Sequence, residues 1–457
     1  MIHNLKPYPA YKDSGVPWLG EVPEHWEVRR VKQLCRFIYG DSLPTEARQH
    51  GDIAVFGSNG RVGSHIISNT HSPCIVIGRK GSFGKVNFSA DRIFAIDTTF
   101  YIDDRFTNAN LRWLYYLLGC LRLDEVSNDS AVPGLHREEV YQKIVAYPAD
   151  NDEQFAIAQY LDHINRLISR YIRAKKKLIK LLEEQKQAII HQAVTRGLDP
   201  NVKLKPSGVE WLGDVPEHWE VIALKRLCSL LRDGTHLPPA RQSTGIPLLS
   251  VRNIVGGRFV NRDDDSFISF SDYEQLCRSF VVQQNDVLLA IVGATLGKVA
   301  IVPAMSQFHI QRSLAVFRPK RHKLLHDYLA FFLRGPAFQR ALWTTVAFSA
   351  QPGIYLSTLG AFRIAVPPLT EQKQIVLRIS QHTEQVQQSI DKAYLEISLL
   401  REYRTRLIAD VVTGKLDVRE AAASLPEETN ETEALDEELT DEEDTAEEEL
   451  DREPEEE

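Results

Sequence analysis

A fourteen-residue segment occurs twice in this chain. Gly15–Val28 reads GVPWLGEVPEHWEV and Gly208–Val221 reads GVEWLGDVPEHWEV, identical at twelve positions. Two tryptophans and a Pro-Glu-His-Trp run do not recur by chance, so the chain reads as a tandem duplication. Cys35 and Cys228 keep the same offset from the repeat. Weaker correspondences follow in the same order. Gly81-Ser-Phe-Gly84-Lys85-Val86 answers Gly293-Ala-Thr-Leu-Gly297-Lys298-Val299, and Ser130–Gly134 answers Ser349–Gly353. Ala146-x-Pro148 answers Ala365-x-Pro367.

Each half ends in a long amphipathic stretch. Glu153–Thr195 runs without Gly or Pro. Its apolar residues Ile157, Leu161, Ile164, Ile168, Tyr171, Leu178, Leu182 and Ile189 are spaced by threes and fours or their sums, with Lys175 and Gln185 at the missing positions. That is a heptad seam, the mark of a long helix meeting a partner helix. At about 1.5 Å per residue such a helix spans about 65 Å. Glu371–Thr413 carries a second seam of Ile375, Ile379, Val386, Ile390, Ala393, Ile397, Leu400, Leu407 and Val411. Glu153-Gln154 matches Glu371-Gln372 at the start, and Thr195-x-x-Leu198-Asp199 matches Thr413-x-x-Leu416-Asp417 at the end. Seams this long are expected to pack on each other.

Between the repeats and the helices the blocks read as short strands and turns. Ile53–Phe56, Cys74–Ile77, Val281–Val282, Val287–Ile291 and Val299–Val302 are apolar or β-branched and bounded by turn residues. Leu111–Leu118 and Tyr328–Leu333 read as short helices. The expected fold class is α+β: two similar mixed domains separated by two long helices. The expected divisions are a first domain over 1–150, a helix over 151–197, a second domain over 198–368, a helix over 369–416 and a disordered acidic tail over 417–457. From repeat to helix the second half is longer than the first, and the extra length is expected around Arg232–Pro239. A doubled scaffold with unlike interiors suggests one job done on two different targets.

Charge separates body from tail. Residues 427–457 hold nineteen Asp or Glu and one base, Arg452, so the remainder is moderately basic although the whole chain is at -8. A basic body admits a polyanion partner. The tail has no aromatic residue, and disorder is expected there. The five cysteines are scattered and none forms a Cys-x-x-Cys pair, which argues against a disulfide framework or a zinc cage. They are expected to be buried thiols. No apolar run is long enough to span a bilayer and the N-terminus lacks a secretory core, so a cytoplasmic location is the default expectation.

Gly78-Arg-Lys-Gly-Ser-Phe-Gly84-Lys85 invites comparison with a Walker A loop and fails it. Five residues separate the glycines, and Val86 stands where the magnesium-binding hydroxyl belongs. The second copy fails too. A basic turn that donates to DNA is the better reading: Arg79, Lys80 and Lys85 suit phosphates, and Arg79 suits guanine. Ser82 and Thr295 are short donors, and Lys298 repeats Lys85. Arg252, Asn253, Gln311 and Arg312 are further candidates, since Arg suits guanine while Asn and Gln suit adenine. His25 and His218 have no partners at ligand spacing and are read as structural, so no metal site is expected. The tryptophans beside them are expected to pin the repeat to the core or to the helices.

These motifs, doubled and in order, resemble the DNA-specificity (S) subunit of a type I restriction–modification system over roughly residues 12–418. The resemblance rests on Trp18-Leu19-Gly20 with Pro23-Glu24-His25-Trp26, Gly78–Ser82, Ser130–Leu135, Asp233-Gly234-Thr235-His236, Leu249–Ile254, the polar turn Asn285-Asp286 and Pro367-Pro368-Leu369 before Glu371-Gln372. It implies two target-recognition domains on an antiparallel helical spacer, each reading one part of a split DNA site. It adds Arg232, Thr235 and His236 as candidates, because the family carries recognition residues on such loops. It implies two methyltransferase (M) subunits that bring S-adenosylmethionine, and restriction (R) subunits that use ATP and magnesium. No cofactor and no catalysis are then expected in this chain. The residues leave two other classes open: a protein-interaction scaffold with two β-rich heads on a helical bar, and a self-sufficient nuclease or methyltransferase. The absence of methyltransferase, cofactor-fingerprint and metalloprotease motifs weighs against the last.

Overall fold

The computed structural model describes residues 5–125, 134–237, 239–346 and 352–426. The chain forms two compact units, one of Met1–Lys175 with Leu395–Glu457 and one of Lys176–Tyr394. Both long helices, Asn151–Arg196 and Leu369–Val412, cross the division. Each unit therefore holds a half of each helix, where the sequence suggested helices set apart from the domains.

In the first unit the central sheet is antiparallel, in the order Ile38–Tyr39, Thr99–Asp103, Cys74–Gly78, Val86–Ser89. Cys74–Gly78 is buried at every position, which is why its sequence is an unbroken apolar run. A second sheet pairs Ile53–Gly57 antiparallel with Gly60–His65 and parallel with Phe94–Ala95. Glu27–Arg30, which begins in the last two residues of the repeated motif, pairs with Ile144–Tyr147, just before the long helix. The helix Leu111–Gly119 starts at Asn110, whose side chain accepts from the Trp113 amide and so satisfies one unpaired donor of the first turn.

The second unit repeats this plan. Its central sheet runs Cys228–Asp233, Leu314–Pro319, Val287–Ala290, Val299–Ile301. Ile246–Leu249 pairs antiparallel with Phe267–Ile268 and parallel with His309–Ile310. Glu220–Ala223 pairs with Arg363–Val366. Most of the additional length of this half lies between Gly234 and Ile291, where the helix Phe270–Cys277 is found. The strand expected at Val281–Val282 is absent: Gln283 turns there, its amide donating to the Asp286 carboxylate at 2.8 Å.

Within each unit the helix halves run antiparallel. In the first, Lys175 Nζ meets Glu396 Oε2 at 2.6 Å, while Trp26 bonds Glu153 and lies against Gly414, just past the end of the second helix. In the second unit, Lys186 Nζ donates to Gln387 Oε1 at 2.7 Å, and Gly197 lies against Glu371. The seam of the first helix differs from the heptad reading. Tyr171 and Leu178 are exposed and Ile189 is half-buried, and Ile172, Ile179 and Ile190 are buried in their stead. Ile157, Ile168, Ile179 and Ile190 recur every eleven residues. Eleven residues fill three turns at 3.67 per turn, close to a straight helix, whereas a strict heptad demands supercoiling.

The tail starts later than expected. Asp417 donates its amide to Lys6 O at 2.9 Å, and a short helix spans Arg419–Ala423 with Ala421 and Ala422 buried. Residues 427–457, where the acidic run sits, lie outside the described residues.

Candidate nucleic-acid interface

The two units share one loop frame, and five of its backbone hydrogen bonds have counterparts in both. In the first unit Gly78 N donates to Lys85 O, Arg79 N to Thr98 O, Gly40 N to Thr99 O, Asp41 N to Ala95 O, and Leu135 N to Arg79 O. In the second, Ala290 N donates to Lys298 O, Ile291 N to Ser313 O, Gly234 N to Leu314 O, Thr235 N to Ile310 O, and Ile354 N to Ile291 O. All ten lie between 2.8 and 3.1 Å. Gly40 and Gly234 are required there, because a Cβ would collide with the carbonyl oxygens of Ile96 and Gln311. Hence Arg79 is equivalent to Ile291, Lys80 to Val292, Lys85 to Lys298, Asp97 to Arg312, and Tyr39 to Asp233. Of the two Ser-Ala-x-Pro-Gly motifs, Ser130–Pro133 and Ser349–Gln351 lie outside the described residues. Gly134 forms a β-bridge with Lys80, and Gly353 forms one with Val292.

The loops bring most of the candidate residues together, unit by unit. In the first unit Lys80, Ser82 and Lys85 are exposed and Arg79 is half-buried. Lys85 Nζ donates to Asn59 O at 3.0 Å. Ser82 and Lys85 also line a cavity of about 810 Å³ with Arg122, Asn165 and Arg404. In the second unit Thr235 forms a parallel bridge with Gln311, and Arg312 N donates to Thr235 O at 3.1 Å. Arg312, Arg232, His236 and Lys298 are exposed, and Thr295 and Gln311 are half-buried. His236 Nε2 lies 2.7 Å from Asp233 Oδ2, and the Thr235 hydroxyl donates to Leu237 O. Arg232 belongs to the edge strand of the central sheet, beside these loops.

Arg252 and Asn253 do not join this surface as readers. Asn253 is fully buried; its Oδ1 accepts from Ser250 N, and its Nδ2 donates to Val260 O and the Asp265 carboxylate. An adenine reader needs a free amide edge, and this one is used up. Arg252 is tied to Asp264 through its carbonyl and its carboxylate. Both residues hold the loop from Ser250 to Asp265 in shape. The acidic run Asp263–Asp265 supplied the signal, an unlike charge within reach of Arg252.

Three features were missed in the sequence. Tyr39 is about half exposed, with the Arg79 and Arg137 guanidinium carbons 5.1 and 5.0 Å from its ring centre. Leu237 and Tyr355 are 88% and 82% exposed on the loops of the second unit. Single exposed apolar side chains are ordinary on a protein surface, but those on these loops stand where base edges or thymine methyls could meet them.

His25 and His218 are structural: each Nε2 lies 2.8 Å from Glu153 or Glu371. Burial pushes the Cys35 and Cys228 thiols up to about 12 and Cys74 up to about 11, so all three stay protonated at neutral pH. Among the described residues, one His/Asp group, His71 with Asp103 and Asp104, is tight enough for a cation. Burial tends to raise the Asp103 carboxyl, but donors from Arg105 and the His71 amide outweigh it and hold the group below its ordinary range. Asp103 is thus already compensated by Arg105. Among the described residues, no helix is long and apolar enough to cross a membrane.

Two copies of a loop-bearing mixed sheet, each joined to long antiparallel helix halves and presenting cationic loops, define a duplicated recognition protein. The comparisons name the class. Residues 216–394 match the type I restriction modification DNA specificity domain. The MjaVIII specificity subunit of Methanocaldococcus jannaschii is 22% identical over 420 residues, 87% of this chain and 94% of its own. The EcoBI specificity subunit of Escherichia coli is 23% identical over 355 residues, 75% and 73%. A chain solved in work on complex assembly and conformational transition of the type I R-M system shares the fold, with a TM-score of 0.64 at 15% identity over 86% of this chain and 99% of its own. Residues 216–394 thus carry the match to the type I restriction modification DNA specificity domain, and most of the chain is similar to type I specificity subunits.

Proposed function

We propose that each unit reads one part of a split, asymmetric DNA target, and that the chain does no chemistry itself. The reading rests on one observation: a loop frame held by five corresponding backbone hydrogen bonds in both units while the side chains it displays differ. Arg79, Lys80, Ser82 and Lys85 would face DNA from the first unit. Arg232, Thr235, His236, Thr295, Lys298, Gln311 and Arg312 would do so from the second. Two methyltransferase subunits would bring S-adenosylmethionine to adenines in the target. Restriction subunits would bring ATP, magnesium and cleavage.

The test uses the purified full chain, alone and with a co-expressed methyltransferase partner. Sequence-selective duplex binding that weakens steeply with salt is expected, together with methyl transfer only when the partner is present. Methyl transfer or cleavage by the chain alone would remove the non-catalytic reading. Binding to protein but not to DNA would favour a scaffold with two β-rich heads.

A further inference from the structure

The shared frame makes the two units comparable position by position, and the guanidinium groups stand on opposite sides of it. In the first unit the arginine is Arg79, on the loop after the central strand, and the facing loop offers Asp97. In the second unit the first position is the apolar Ile291, and the facing loop offers Arg312. Lys85 and Lys298 are the basic positions common to both.

Arg79 is held in one orientation. Its Nε and Nη2 both donate to Asp97 O, at 3.2 and 2.6 Å, which fixes the plane of the guanidinium. The group lies over the Tyr39 ring, 5.1 Å from its centre, with Phe100 at 6.0 Å. Cations are drawn to ring faces, so the tyrosine limits rotation of the fork. Arg137 shares the same ring at 5.0 Å, with its Nε on Glu138. The Asp97 carbonyl occupies one edge of Arg79 and leaves the Nη1–Nη2 edge for a ligand. Two cations converging on one neutral ring beside the exposed Lys80 call for an anionic or electron-rich partner.

We propose that Arg79 is the guanine-reading residue of the first unit, positioned by Tyr39 and Arg137, and that Arg312, from the facing loop, is its counterpart in the second. The proposal rests on the DNA reading given above and goes further by assigning bases to residues. A planar fork with two parallel donors matches O6 and N7 of guanine in the major groove. A phosphate contact needs only charge, and a mobile lysine such as Lys80 serves for that. The frame explains how a duplicated scaffold reads unlike halves, since moving the arginine from one loop to the other moves the base it can reach.

The experiment selects bound duplexes from a random-sequence pool, using the full chain with its co-expressed methyltransferase partner. Arg79→Ala and Tyr39→Ala are expected to lose guanine preference at one position of one half-site, by about tenfold or more. The other half-site should be unchanged. Tyr39→Phe, which keeps the ring face, should keep the preference, whereas a merely structural loss in Tyr39→Ala would weaken binding to all sequences alike. Arg79→Lys should keep affinity and lose the preference. Arg312→Ala should relax one position in the other half. The same motif selected by the Arg79→Ala complex, at undiminished strength, would overturn the proposal. So would a uniform loss of affinity across all sequences, the mark of a phosphate contact. If the wild-type complex selects no motif, the DNA reading falls first and this assignment falls with it.

Discussion

The indole Nε1 of Trp26 donates to Glu153 Oε1 at 3.0 Å, across most of the first half of the chain. Trp219 makes the equivalent bond to Glu371 at 3.1 Å. The repeated motif and the first turn of each long helix are therefore two ends of one joint. Glu153 is 5% exposed and also accepts from the Tyr8 hydroxyl and from His25, both at 2.8 Å. Burial first, and then the Glu153 charge, push the Tyr8 hydroxyl well above its ordinary range, so it stays a donor. Glu153→Ala strands the Trp26 and Tyr8 donors in the core, at a cost of about 3 kcal/mol. Glu371→Ala should cost less, because Glu371 is more exposed and has only two such donors on it. Thermal unfolding of the two variants beside wild type checks the order; equal midpoints in all three would remove the joint.

Gln154 and Gln372 fill the neighbouring position and are both buried. Gln372 accepts from Leu325 N at 2.9 Å and donates to the carbonyls of Lys323 and Pro367 at 2.9 and 2.8 Å. Gln154 accepts from Asn110 N and donates to Pro148 O. Gln372→Glu would set a carboxylate against two carbonyl oxygens. Its pKa would rise, so the variant is most stable below the ordinary carboxyl range and loses stability as pH rises through the raised value. A deficit of about 2 kcal/mol or more at pH 7, shrinking toward pH 4, is expected in urea unfolding. A deficit independent of pH would show that the carbonyls do not face the new group.

Much of this architecture is legible in the sequence. The doubled Trp-Leu-Gly and Pro-Glu-His-Trp motifs and the Glu-Gln pairs mark where each half begins and where its helix starts, and the His-Trp and Glu-Gln pairs among them have fixed partners. The seam was less legible. At Tyr171/Ile172, Leu178/Ile179 and Ile189/Ile190 two adjacent residues are both apolar, and either fits a local three-four pattern. Only the drift accumulated over several turns selects the eleven-residue repeat. Among the site residues, Arg79 and Arg312 stood out by type alone. Nothing local in the sequence brings Tyr39 under Arg79, since the sheet register does that. The engagement of Asn253 by Asp265 depended equally on a loop closing.

His309 gives the second unit a sensitivity to acid. It is 2% exposed, its ring 5.0 Å from that of Phe280 and its two nitrogens 3.3 Å from the carbonyls of Ile310 and Phe280. Burial lowers its pKa, against the opposing pull of those carbonyls. A depressed folded pKa means that the unfolded chain takes up the proton first. Stability is then full above about pH 6.5 and is lost as pH falls below it, by up to about 1.4 kcal/mol per unit. His191 has the same sign, from burial and from Arg340 and Arg196. Denaturant unfolding between pH 7.5 and 5.5 should show this decline, and His309→Gln should flatten it. An identical slope in the variant would assign the decline elsewhere.

The long helices each leave one unit and enter the other, and their length is the natural candidate for what sets the gap in a split target. Lys175–Glu396 marks matched positions on the two rods. Four residues inserted into each helix there lengthen it by about 6 Å. A paired helix absorbs such an insertion by locally adjusting its winding. That is close to two base-pair rises of duplex DNA at about 3.4 Å each. Sequencing of methylated adenines in cells carrying the lengthened chain and its partners should then return the same two half-sites with one or two more unspecified positions between them. The half-sites should not change, because the loop frames are untouched. An unchanged gap would mean that the separation is set by the partner subunits rather than by these helices.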